Sequence, residues 1–185
     1  MIKRLILALG VASLVLSAPQ EQNRQMAEMY KVTQPGSHHA QMESLAGNWS
    51  VAVSFKVGPG AERKATAGSE AQWILGGRFL RQHYKSDSGL EVWQFLGYDN
   101  QKKKFFEIKM DNMETGSLFT EGVISEDGRV ITNYGDRTDP MSGHVARLRT
   151  VTTMIDHDHY NVEWFLGGAN GVEEKIVTME HTRRP

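Results

Sequence analysis

The run Tyr160-Asn161-Val162-Glu163-Trp164-Phe165-Leu166 decides the fold class. Tyr160, Val162, Trp164 and Leu166 fall on one face of an extended chain while Asn161 and Glu163 fall on the other, the period of two that marks a half-buried β-strand. Further along, Val177 and Met179 oppose Thr178 and Glu180 in the same way. Working outward, everything after Gly47 reads as short runs rich in Val, Ile, Thr, Phe, Tyr and Trp, separated by turn signals. Strands are predicted near 48–57, 64–74, 78–87, 90–98, 103–110, 115–125, 129–136, 144–155, 159–167 and 172–182. The joins include Ser86-Asp87-Ser88-Gly89, Asp99-Asn100-Gln101, Glu126-Asp127-Gly128 and Asn170-Gly171, each suited to a tight turn. Ten strands with short joins leave no helix long enough for a parallel crossover, which predicts an antiparallel meander. Closing it removes two open edges, so the expected fold is an all-β, up-and-down barrel of about ten strands. From Glu91 to Tyr98 both faces carry large apolar groups, and the pattern does not separate inside from outside.

The region before Gly47 has a different character. Lys3 and Arg4 precede the uncharged stretch Leu5 to Leu16, too short for a permanent membrane span of about 20 residues and suited to the apolar part of a signal peptide. Val15 and Ser17 supply small-residue positions for a cut before Ala18. Residues 1–17 are therefore expected to be a signal peptide, and the mature protein to be periplasmic or secreted and not integral to a membrane. Residues 18–46 form a leader: a polar segment from Glu21 to Val32, a short surface helix or a loose stretch, stopped by Pro35-Gly36, and then a short helix with Ser37 at its N-cap and Ala40, Met42 and Leu45 as its apolar positions. The barrel domain is expected over 47–185.

Composition narrows the chemistry. The 185 residues carry 21 basic and 22 acidic side chains, a formal charge of -1, which lacks the basic excess of a nucleic-acid binder. No cysteine is present, excluding disulfides, thiolate metal sites and cysteine nucleophiles. No Gly-x-Ser-x-Gly elbow, phosphate loop or dinucleotide fingerprint appears. Glu173-Glu174 are neighbours on opposite strand faces and cannot form a close acid–base pair.

Leu45-Ala46-Gly47-Asn48-Trp49 resembles the Gly-x-Trp signature that opens lipocalin-like (calycin) barrels. The resemblance implies that Trp49 plugs the closed end and that Arg183 near the end of the last strand lies across its ring, with Arg184 as a substitute. More specifically, the chain resembles the bacterial domain-of-unknown-function family 1579 over nearly all of the mature region. The matching stretches are Pro35-Gly36 with His39, Gly47-Asn48-Trp49, Ile74 to Leu80, Leu96 to Asn100 with Lys103-Lys104, Asp111 with Thr115-Gly116, Asp139 to Gly143, and Met179-Glu180 with Thr182-Arg183. It implies a lipocalin- or nitrobindin-like barrel and no specific catalytic residue. His181 stands where the family pattern would have an aromatic or aliphatic side chain.

Mid-size closed barrels enclose cavities, so the expected function is binding of a small apolar or amphipathic molecule inside the barrel. Candidate ligand-binding residues are Arg78, Trp93, Tyr98, Asp111, Tyr134, Trp164 and His181, with Arg81 and Glu107 in reserve; Gly47, Trp49 and Arg183 are structural. Arg78, after Gly76-Gly77, is expected either to meet a carboxylate ligand or, by preference, to pair with Asp111 or Asp139. Strict alternation puts His181 on the inward face with Val177 and Met179, where it reads first as a capping or rim residue; because nitrobindin-like barrels bind haem, the resemblance also makes it a candidate axial ligand. His157 and His159 have a metal-binding spacing but read as a polar hairpin, and His38-His39 as a helix start. The alternatives are an enzyme using His, Asp and Arg in the cavity, or a ligand-free envelope interaction protein with a filled interior.

Overall fold

A computed structural model describes residues 7–56, 61–139, 142–168 and 171–185, with side chains from Gln20 onward. Ten strands follow in chain order: β1 Gly47–Lys56, β2 Glu62–Ile74, β3 Phe79–Ser86, β4 Glu91–Asp99, β5 Lys104–Asp111, β6 Leu118–Ile124, β7 Val130–Thr138, β8 Val145–Met154, β9 His159–Gly167 and β10 Glu173–Arg183. Each pairs antiparallel with its sequence neighbours, and β1 pairs with β10, so the meander closes into an up-and-down barrel. The joins are tight because aspartates satisfy their own turn amides. Asp99 Oδ1 accepts from the Gln101 and Lys102 N–H groups at 2.8 and 3.0 Å, and Asp111 Oδ1 from Met113 and Glu114 at 2.9 and 3.0 Å. Pro140, Met141 and Asn170, which the sequence places in turns, lie outside the described residues, as does the basic start of the leader.

The chain divides into two compact units, Met1–Gln34 and Pro35–Pro185. The first holds helix α1, Leu7–Val32, longer than the segment predicted from Glu21 because the helix continues back through the apolar run. Salt bridges from Glu21 to Arg24 and Glu28 to Lys31 line its exposed surface. Among the described residues no helix is long and apolar enough to cross a membrane.

The second unit begins with helix α2, Ser37–Gln41, and a 3-10 turn, Glu43–Leu45, which lie over one end of the barrel. Gly36, not Ser37, is the N-cap, and its N–H donates to His39 Nδ1 at 3.1 Å. That bond needs an unprotonated nitrogen, and burial lowers the His39 pKa accordingly. Met42 and Leu45 then cover Trp49, which is 0% exposed and donates from Nε1 to Leu45 O at 3.1 Å. The Arg183 guanidinium lies 4.2 Å from the Trp49 ring and donates to the carbonyls of Ala46, Ser44 and His157. Gly47, at φ 126°, makes room for it: a Cβ there would stand 2.3 Å from Arg183 Nη1. Arg184 turns outward to Ser50 Oγ. Inward side chains next to this plug, Val51, Leu80, Leu96, Phe105, Ile131 and Tyr160, are all buried.

Candidate functional site

The register of the strands sorts the interior into three layers. Above the plug lies a hydrogen-bonded polar layer from β2, β3, β9 and β10. Gln82 Nε2 donates to Ser69 Oγ and to the Tyr160 hydroxyl, both at 2.7 Å, and the Tyr84 hydroxyl is 3.2 Å from His181 Nε2. The His181 ring stacks on Tyr160 at 3.9 Å. Burial pushes the Tyr84 and Tyr160 hydroxyls well above the usual tyrosine range and drops His181 to about 3. The imidazole is therefore neutral, and its Nε2 shares a hydrogen bond with the Tyr84 hydroxyl. Its buried Nδ1 has no hydrogen-bond partner.

The third layer is the half of the barrel away from α2. Its inward side chains Val53, Ala67, Val92, Trp164, Val177 and Met179 stay partly exposed although they point inward from a closed sheet. Solvent therefore reaches this half through the mouth. Its walls differ. The wall from β10 through β1 to β4 presents Val177, Met179, Val53, Ala67 and Val92, with the buried Gln94 deeper on β4, while the wall from β5 to β9 presents Glu107, Lys109, Thr120, Asn133, Thr150 and Trp164 beside Leu118, Leu148 and Leu166. Glu107 and Lys109, 3% and 8% exposed, form an ion pair at 3.0 Å, and the Lys109 ammonium lies 4.1 Å over the Trp164 ring. That close contact is out of line for a hydrogen bond, so Glu107 Oε1 accepts none. Three more buried atoms on this wall also have no hydrogen-bond partner: Thr120 Oγ1, Asn133 Oδ1 and Trp164 Nε1. An unsatisfied buried polar group costs about 1–3 kcal/mol, so such a cluster is expensive unless something polar meets it.

The residues singled out in the sequence do not converge. Trp164 belongs to the polar wall and His181 to the layer beneath it. Tyr98 lies at the plugged end, 4.9 Å from Phe105 and 4.2 Å from the His38 ring. Arg78 is at the same end and donates to Leu75 O within its own turn. Asp111 and Asp139 lie at the opposite end of the barrel, so the expected pairing with Arg78 does not form. Asp111 holds its turn, and Asp139 accepts from the Ser142 N–H and hydroxyl. Trp93 and Tyr134 were expected in the cavity, and both point outward: Trp93 stacks on His83 at 3.9 Å, with Arg81 over it, and Tyr134 lies under Arg147. Alternation could not place Trp93, because β4 is apolar on both faces; on β7 the barrel turns Asn133 and Gly135 inward, which leaves Tyr134 on the outer face.

The wall residues Lys109, Thr120 and Asn133 went unnoticed in the sequence for the converse reason. In Phe106-Glu107-Ile108-Lys109-Met110 the usual rule turns the charges outward, and the barrel turns them inward. His181 does not fit as a haem ligand: Tyr160 covers its ring, Nε2 is taken by Tyr84, and the side chain is 1% exposed. His157 and His159 each turn Nδ1 to a hairpin aspartate, and among the described residues no three metal-ligating side chains gather.

These features define a closed ten-stranded antiparallel barrel, plugged at one end, whose inward side chains toward the other end are partly reached by solvent. The chain belongs to the family described as protein of unknown function (DUF1579), whose model matches residues 34–183. Among solved structures it is similar to Rv2717c from M. tuberculosis, at 13% identity and a TM-score of 0.61, with 82% of this chain and 100% of that one covered. That likeness concerns the fold. No curated protein matches the chain.

Proposed function

We propose that this protein is an exported binding protein that holds a small amphipathic molecule in the mouth half of its barrel. The observation that carries the reading is the pairing of one apolar wall with a wall of buried polar atoms lacking hydrogen-bond partners. A ligand lying between them would bury its apolar part on Val53, Val92 and Met179 and supply hydrogen bonds to Trp164, Thr120 and Asn133. Export rests on the leader, whose charged start and short apolar run suit a signal peptide. Native mass spectrometry of protein purified from the periplasm without detergent tests both parts. A mature mass lacking the leader and carrying a defined small adduct supports them. An intact leader in a cytoplasmic fraction overturns the location, and the absence of any saturable ligand uptake overturns the binding.

A second reading, an interaction protein, is favoured by the outer face. Exposed Phe119, Val123 and Tyr134 line a groove of about 600 Å³ together with Lys104, Glu121 and Arg147. Protein capture that survives filling of the chamber would favour it.

A further inference from the structure

We infer that the chamber is built for an uncharged polar head, a hydroxyl or carboxamide at the end of an apolar chain, and discriminates against a carboxylate; this rests on the binding role proposed above. The buried ionisable groups facing the interior balance one another. Glu107 lies 3.0 Å from Lys109, and His181, Tyr84 and Tyr160 are neutral. The cations nearer the mouth are also occupied or exposed to water: Lys56 pairs with Glu174, Arg137 with Glu114, and Arg63 is exposed. A carboxylate entering the polar wall would bring a negative charge into a low-dielectric site whose buried cation already has its anion. The unpartnered atoms ask for something else. Trp164 Nε1 is a donor and needs an acceptor, Asn133 Oδ1 and Glu107 Oε1 are acceptors and need donors, and the Thr120 hydroxyl can serve either way. A hydroxyl can accept from Trp164 Nε1 while donating to one of the acceptor oxygens, and a carboxamide, with two N–H donors, can serve both; a deprotonated acid, which only accepts, leaves the two acceptor oxygens unmet.

The experiment measures displacement of Nile red, an uncharged probe, by 1-decanol, decanamide and decanoate at pH 7.5. The two neutral compounds are expected to compete at concentrations about tenfold below decanoate, a difference of about 1.4 kcal/mol. Glu107→Gln leaves Lys109 without its anion, so decanoate should gain about tenfold while decanol changes little. Lys109→Met leaves Glu107 alone and should weaken decanoate further. Decanoate competing as well as decanol against the native protein overturns the inference and needs no variant. So does a Glu107→Gln protein of native circular dichroism in which the order of the three competitors is unchanged. If Nile red shows no saturable binding and none of the three compounds alters the native mass, the binding role itself falls, and the head-group preference with it.

Discussion

The two halves of the barrel are made from the same strands and solve opposite problems. At the plugged end the polar groups around Trp49 are answered, the buried Ser44 hydroxyl excepted: Trp49 Nε1 by Leu45 O, the Arg183 guanidinium by three carbonyls, the Gly36 N–H by His39. Toward the mouth many inward side chains are partly exposed, and four buried polar atoms have no hydrogen-bond partner. Under the binding role proposed above, stability and recognition are segregated along the barrel axis. A region optimised for folding leaves nothing for a ligand to satisfy, and a region that recognises one carries unmet groups at a cost to stability.

The sharpest test of that division is a pair of tryptophan truncations. Trp49→Ala should lower unfolding free energy by about 3–5 kcal/mol, because it opens a cavity in a sealed core. Trp164→Ala should cost less than half as much while abolishing probe binding, with urea titration and Nile red fluorescence as the readouts. Equal stability losses would dissolve the distinction between the halves. Arg183→Met is expected next, at about 2–3 kcal/mol, since it removes the cation–π contact and leaves the Ala46, Ser44 and His157 carbonyls without their donor. Ligand binding should survive it.

The middle layer predicts a pH effect with a definite sign. The folded-state pKa of His181, about 3, lies below the ordinary histidine value of 6.5. Between those values the unfolded chain takes up a proton that the folded chain refuses, so stability is full above about pH 6.5 and falls as the pH drops toward 3. The slope from this group is at most about 1.4 kcal/mol per pH unit. In His181→Gln that contribution disappears, and urea midpoints at pH 7, 6 and 5 should decline less steeply than in the native protein. A remaining slope is expected from His39, which burial depresses in the same direction. Superimposable slopes would show that His181 takes up its proton without cost in the folded state.

The smallest effect concerns the polar wall. Thr120→Val exchanges an unpartnered buried hydroxyl for a methyl group of similar shape, and should raise stability by about 0.5–1.5 kcal/mol while weakening binding of an amphiphile. Loss of stability would mean that the hydroxyl is already satisfied in the free protein.

Much of this architecture was legible in the chain. The ten strands fall within a few residues of their predicted bounds because each ends at a glycine- or aspartate-rich turn whose local chemistry does not depend on the rest of the molecule. The meander followed from short joins, and Gly47, Trp49 and Arg183 came through the resemblance to lipocalin-like barrels. The site was much less legible. Trp93 and Tyr134 were expected inside and lie outside, while Lys109, Thr120 and Asn133 face the chamber unannounced.

The sequence by itself determined where the strands begin and end, that they run antiparallel, and that chemistry needing cysteine is closed to this protein; these are consequences of local turn geometry and of composition. Only the tertiary structure decided which face of each strand is interior. Alternation distinguishes two faces without saying which is buried, and from β3 to β6 apolar side chains occupy the outward one. Closure and register settle the choice, placing an ion pair from β5 beside the indole of a strand more than fifty residues away and leaving four buried polar atoms there without a hydrogen-bond partner.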